Sequence, residues 1–205
     1  LQVGDIARQL YDPPSQGALI DPQAEGFDAA FARTQHLLTH SRQPIFEAGF
    51  RAGGALAFAD VLLPSDEGDQ LGWRMVEVKS STSVKDYHRD DAAIQACVAR
   101  EAGLALTAIA VAHIDSGWTY PGQGDYQGLL RESDLSEEAF ARADEVKGWV
   151  AQAQAVVHCD SAPTLATGAQ CFQPFECGFY NHCASLEPQA EHPIHWLPRP
   201  GQAVQ

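Results

Sequence analysis

The chain has 205 residues, 45% hydrophobic and 20% charged, enough for one good core and a small appended lobe. Its 27 acids against 13 bases give a formal net charge of -14 at pH 7, which argues against broad attraction to a polyanion unless bound divalent metal or a local basic groove offsets it. No apolar run reaches the length of a membrane span, and the opening LQVGDIARQLY lacks the basic-then-apolar layout of a secretory signal.

The expectation is therefore a cytoplasmic protein with no membrane partner. Because the chain begins at Leu1 rather than Met, it reads as a trimmed piece of a longer one.

A short helix is predicted over residues 3–11, ended by Asp12-Pro13-Pro14. A second, over 24–39, carries Phe27, Phe31, Leu37 and Leu38 at near-helical spacing and stops before Pro44. Three strands follow at 45–51, 55–63 and 73–81, read as consecutive antiparallel neighbours separated by a Gly-Gly turn and the polar loop PSDEGDQLG. A helix over 84–102 leads into LALTAIAVAHI, residues 104–114, whose continuous hydrophobicity marks a central strand covered on both faces. After the loop-like YPGQGDYQGLL, one amphipathic helix is predicted over 135–157, with acids in its first turn. This order predicts an α/β core around a central mixed sheet flanked by helices, residues 1–157, and a cysteine-rich tail, residues 158–205.

The strand WRMVEVKSS carries two charges where a core strand should be apolar. Alternation puts Met75, Glu77 and Lys79 on one face and Val76 and Val78 on the other. The same count groups Leu56, Phe58, Asp60 and Leu62 on the preceding strand, and Glu47 comes from the strand before that. An isolated Glu-x-Lys is most simply an ion pair. Three acids at matching faces of three successive strands argue instead for a site. Clustered carboxylates suit a hard divalent cation such as magnesium or manganese. An adjacent lysine can stabilise charge developing on a phosphoryl group, whereas acting as a general base would require a strongly depressed pKa.

An acid-bearing strand, then Asp60, then Glu77-x-Lys79 with Ser80-Ser81, then a helix carrying Gln95, resembles the RecB-like branch of the PD-(D/E)XK nuclease superfamily. The resemblance covers roughly residues 4–115 and implies a restriction-endonuclease-like fold. It implies that Asp60 and Glu77 bind magnesium or manganese, with Glu47 at an acidic position preceding them. Lys79 would assist phosphodiester hydrolysis and Gln95 would be a positioning residue. The implied activity is a DNA exonuclease, chiefly on single strands, in DNA repair, with a helicase or other protein as partner. Family exonucleases often carry a histidine four residues after a glycine in the first helix. Here Arg8 stands at that offset from Gly4, and Ala99 replaces the aromatic that usually follows the helix glutamine. The alternative reading is a catalytically inactive nuclease-fold module that binds or scaffolds.

The segment CFQPFECGFYNHC spaces Cys171, Cys177 and Cys183 equally, a density suited to a metal or an iron–sulfur cluster in a reducing compartment. Zinc is the simpler occupant. The family resemblance implies a four-cysteine 4Fe-4S clasp, with these three as ligands and the fourth upstream of the first helix. Cys159 and His182 are nearer alternatives, and Cys97 reads as a small buried helix residue. Trp73, Trp118, Tyr120 and Tyr126 are aromatic candidates for stacking on unpaired bases or for packing. His113 reads as a strand-end histidine, and His36 and His40 as surface residues.

Overall fold

Two long antiparallel strands, residues 55–67 and 70–79, occupy the middle of the sheet, and the rest is layered on them. The computed structural model describes residues 2–67, 70–188 and 191–192. The chain divides into two units, Leu1–Val157 and His158–Gln205.

The first unit holds α1 (Val3–Tyr11), β1 (Ala18–Leu19), α2 (Pro22–Glu25), α3 (Phe27–His40), β2 (Ile45–Ala52), β3 (Ala55–Glu67) and β4 (Gln70–Lys79). These are followed by α4 (Asp86–Glu101), β5 (Leu106–Ile114), β6 (Leu130–Asp134), α5 (Ser136–Ala141) and α6 (Ala143–Val157). The strands form one six-stranded sheet in chain order. It is mixed: β1–β2 and β4–β5 are parallel, the other neighbours antiparallel. The protein is thus an α/β fold with a mixed sheet flanked by helices.

The main core lies on one face, where Ile45, Phe50, Leu62, Met75, Ile109 and Val111 meet Ala92, Ala93, Ala96 and Ala99 of α4. Alanines on the buried side of α4 bring its backbone close to the sheet. On the other face Phe46, Val61, Val76 and Ala112 form a smaller cluster with Tyr11 of α1. The Tyr11 hydroxyl donates to Glu132 Oε1 of β6 at 2.8 Å, anchoring the end of α1 over the sheet.

Several features depart from the sequence pattern. The predicted loop PSDEGDQLG is mostly strand, since β3 runs on to Glu67 and β4 begins at Gln70 and the two keep pairing there, and the two-residue strand β1 was not predicted. The predicted helix 24–39 is two helices, because Gly26 adopts φ 85° between α2 and α3. The predicted helix 135–157 breaks at Arg142, whose guanidinium pairs with Asp90 and Glu145 and stacks on Trp149. The polar strand β6, with the sequence LRESD, was not legible as a strand. It is an edge strand whose charges suit solvent exposure. The second unit contains a 3-10 turn, Ala169–Cys171, and α7, Tyr180–Leu186. Among the described residues no helix is long and apolar enough to cross a membrane.

Candidate functional site

The antiparallel ladder between β3 and β4 runs from Glu67↔Gln70 to Val61↔Val76. Beyond it β3 continues its pairing with β2, from Ala59 to Ala55, while Glu77, Val78 and Lys79 pair with Val111, Ala112 and His113 of β5. The sheet therefore forks, and Asp60 sits in the fork. Its Oδ2 accepts a hydrogen bond from the Val78 backbone N–H at 2.7 Å, so the side chain satisfies a donor that a continued ladder would have satisfied.

Strict alternation fails here. Ala57 and Ala59 belong to the main core but Val61 to the opposite cluster, so the facing of β3 reverses at Asp60. The partner strand does the same: Ala48 and Phe50 lie in the main core, Phe46 in the other cluster. Glu47 between them has φ 57°, a left-handed conformation costing a non-glycine residue about 1–2 kcal/mol. The expected grouping of Phe58, Asp60 and Leu62 on one regular face is thus replaced by a paired distortion opposite Glu47. Such strain in mid-strand is characteristic of sites rather than scaffolds.

On β4 the pleat behaves as expected, with Met75 in the main core and Val76 and Val78 opposite. Glu77 is only 2% exposed. Its Oε2 accepts from Lys79 Nζ at 3.3 Å, while Oε1 is buried with no hydrogen-bond partner. An apolar side chain there would contribute about 1.5–3 kcal/mol by burial, whereas an undersatisfied buried carboxylate costs several kcal/mol. Stability does not explain this glutamate.

Lys79 Nζ also donates to Asp91 Oδ2 of α4. Burial alone would lower the lysine pKa, but the Glu77, Asp91 and Asp60 carboxylates raise it to about 12. In the metal-free chain Lys79 is therefore a cation at neutral pH, which suits a charge-stabilising role. Burial pushes Glu77 well above the usual carboxylate range, and the Asp60 charge adds to this while Lys79 opposes it. Asp60 is raised by burial against the Val78 hydrogen bond and Lys79.

Gln95 donates from Nε2 to the Phe58 carbonyl at 3.1 Å, tying α4 to β3 beyond the fork. Its Oε1 is a second buried acceptor without a partner. His88, one turn before Asp91, is buried with Nδ1 accepting from the Lys85 N–H at 3.1 Å. Burial, then Lys79, hold its pKa below the usual histidine value.

A cleft of about 510 Å³ opens on the α1 side, lined by Gly4, Arg8, Glu47, Asp60, Val78 and Ser80 among others. Burial raises the Glu47 pKa, Asp60 adds to it, and Arg8 opposes it. Asp60 is the junction: Glu47 lies on its cleft side, and Glu77, Lys79 and Asp91 on the side of α4. Glu47, Asp60, Glu77, Lys79 and Gln95 are thus assembled around one fork. Arg8 and Asp91 join them. Asp91 lies one turn before Gln95 in the same helix, a spacing that puts the two on one face, and Arg8 stands out in the sequence by its offset from Gly4.

Among the described residues no three or more His, Cys, Asp or Glu side chains converge into a complete metal cage. Magnesium, however, takes one or two carboxylates and keeps waters for substrate oxygens. Asp60 beside Glu77, with one Glu77 oxygen unpartnered, fits that demand. In the second unit the Cys177 N–H donates to the Cys171 carbonyl at 2.7 Å. Cys171 is buried and Cys177 and Cys183 half-buried, but the three are not gathered into a metal-holding group. No disulfide joins the five cysteines. Trp73 is a core residue, whereas Trp118, Tyr120 and Tyr126 cluster in the loop after β5 with ring centroids 5.3 to 6.3 Å apart.

No protein-family model matches the chain. No curated protein matches it either. Among solved structures it is similar to one described as the crystal structure of SSO0001, at 13% identity over 70% of this chain and 65% of that chain, with a TM-score of 0.31. The match spans under two thirds of that chain, and likeness at this level carries no argument about function.

Proposed function

We propose that the protein is a divalent-metal-dependent nuclease with a restriction-endonuclease-like core, hydrolysing phosphodiester bonds, chiefly as an exonuclease on single-stranded DNA. The observation that carries this reading is the fully buried Glu77, one oxygen unpartnered, beside Asp60 and the Lys79 ammonium. Asp60 and Glu77 would hold magnesium or manganese, with Glu47 assisting from the cleft. The ion, when bound, supplies Lewis-acid polarisation of the phosphoryl group and an activated water.

The chain's own residues do the rest. Lys79, held between Glu77 and Asp91, presents a permanent positive charge to the oxygens that gain negative charge in the transition state. Gln95 keeps α4 in register with β3, and therefore Asp91 in register with Lys79. The cysteines Cys171, Cys177 and Cys183 are proposed to hold a 4Fe-4S cluster, or zinc as the alternative, with a helicase or other protein as partner of the whole.

The test is cleavage of labelled single-stranded DNA with magnesium or manganese, by the protein and by Lys79→Ala. Cleavage that requires the metal and collapses in the variant supports the reading; metal-dependent cleavage unchanged in Lys79→Ala sinks the mechanism. The net charge of -14 favours a second reading, a binding or scaffold module with vestigial carboxylates. Calorimetry with no divalent-ion binding, together with no cleavage of any DNA form, would select it.

A further inference from the structure

The cleft beside Asp60 poses an electrostatic problem for any phosphate-bearing strand. Glu47 and Asp60 both line it, and the rest of the chain adds net negative charge. A divalent ion at Asp60 and Glu77 would offset the charge at the fork but not along the remainder of the cleft. Among the described lining residues Arg8 is the one cationic side chain.

Its surroundings suit a group that exchanges partners. The Arg8 guanidinium pairs with Asp5 one turn earlier on α1, and both side chains are more than a third exposed, at 35% and 38%. A pair of that kind contributes little to stability and is easily traded for a better acceptor. Asp5 does not depend on Arg8, since it also accepts from the Gln2 N–H at 3.2 Å. The helix beside the guanidinium is bare: a side chain at Gly4 would meet nothing within 4 Å, and Ala7 is small. A planar guanidinium at an open wall matches the fork geometry of phosphate oxygens.

Arg8 lines the same cleft as Glu47 and Asp60, and its charge reaches Glu47. We infer that Arg8 binds a phosphate oxyanion of the strand next to the one being cleaved, an oxyanion subsite in the cleft between α1 and the β2–β3 distortion. This deepens the nuclease reading and rests on it for the substrate class. The subsite exchanges Asp5 for phosphate as the partner of Arg8, so its contribution is to binding and not to the chemical step.

The experiment measures cleavage kinetics with manganese, and the anisotropy of a fluorescein-labelled single-stranded oligonucleotide with calcium. It compares the full chain with Arg8→Gln, Arg8→Lys and Asp5→Asn. Loss of one charge-assisted contact predicts that Arg8→Gln raises KM and Kd about tenfold with kcat nearly unchanged. The slope of log Kd against log salt should fall by about one, and Arg8→Lys should recover part of the loss. Millimolar inorganic phosphate should compete with the oligonucleotide on the native chain and not on Arg8→Gln.

Unchanged Kd and salt slope in a folded Arg8→Gln overturn the inference, as does a fall in kcat at constant Kd. Should Arg8→Gln not fold, Asp5→Asn decides: binding tighter than native supports the subsite, and binding equal to or weaker than native overturns it. Arg8-dependent binding without cleavage leaves the subsite and removes the nuclease reading. Cleavage with Arg8-independent binding does the reverse, and no binding by the native chain overturns the subsite.

Discussion

The Asp60 carboxylate closes the fork between β3 and β4 by accepting the Val78 backbone N–H at 2.7 Å. One side chain therefore has two duties, one to the backbone and one to the site. Asp60→Asn keeps an acceptor for Val78 but removes the charge. Asp60→Ala removes both and leaves a half-buried donor unpaired, a loss of about 1 kcal/mol. The expected outcome is equal loss of metal-dependent cleavage in both variants, exceeding the roughly 10–100-fold cost of losing an outer-shell partner of a metal ligand. Only the alanine variant should melt lower, by about 2–4 °C for each kcal/mol lost. Thermal melts beside initial rates separate the two duties.

Lys79, raised to about 12 by its carboxylate neighbours, should contribute charge and not a titrating base. Lys79→Ala should lower kcat by about 100- to 1,000-fold, the usual cost of removing one group that stabilises transition-state charge. The pH–rate profile of the native chain should show no lysine limb between pH 7 and 10. A limb in that interval that vanishes in Lys79→Ala would assign the lysine to proton transfer instead.

The buried Glu77 predicts a pH dependence of stability. Its folded pKa is raised, so between the ordinary carboxylate range and that raised value the folded state binds more protons than the unfolded one, and stability falls as pH rises. Glu77→Gln abolishes this contribution and should melt higher than the native chain at pH 8 and nearly equal to it at pH 4. Manganese should raise the melting temperature of the native chain at pH 8 and leave the variant unmoved. Calorimetric melts across pH, with and without the ion, check both statements.

Gly4 faces open space within the cleft. Gly4→Leu improves the helix propensity of α1 by roughly 0.8–1 kcal/mol, yet its side chain projects into the room a substrate strand needs. A variant at least as stable as the native chain, but cleaving oligonucleotides markedly more slowly, is the expected result. Unimpaired cleavage in Gly4→Leu would remove the cleft from the substrate path.

How much of this was legible before the fold is clearest at Glu77 and Glu47. The alternation of MVEVK settled which residues of β4 face α4, because a strand packed on both sides permits one register, and Met75 and Val76 hold it. The same alternation failed at Asp60 and Glu47, since a paired distortion, with the register on either side unchanged, reverses the facing of both strands and leaves no mark in the residue types. The helix over 3–11 was predicted with its observed ends, as Pro13 and Pro14 permit no other stop. The single helix over 135–157 was not obtained. Arg142 looks helical until its partners Asp90, Glu145 and Trp149 are brought to it by packing.

Residue pattern alone gave the order of the longer elements, from the first helix to the apolar strand ending at Ile114, and the presence of charge in a strand that should be apolar. Periodicity and turn chemistry act over a few residues and are written locally. Only the tertiary structure decided that Asp91, twelve residues from Lys79, clamps its ammonium, that Arg8 enters the cleft beside Glu47, and that β3 and β4 part at Asp60. Each of these depends on where a distant element comes to rest, through the burial of α1 and α4 on opposite faces of the sheet.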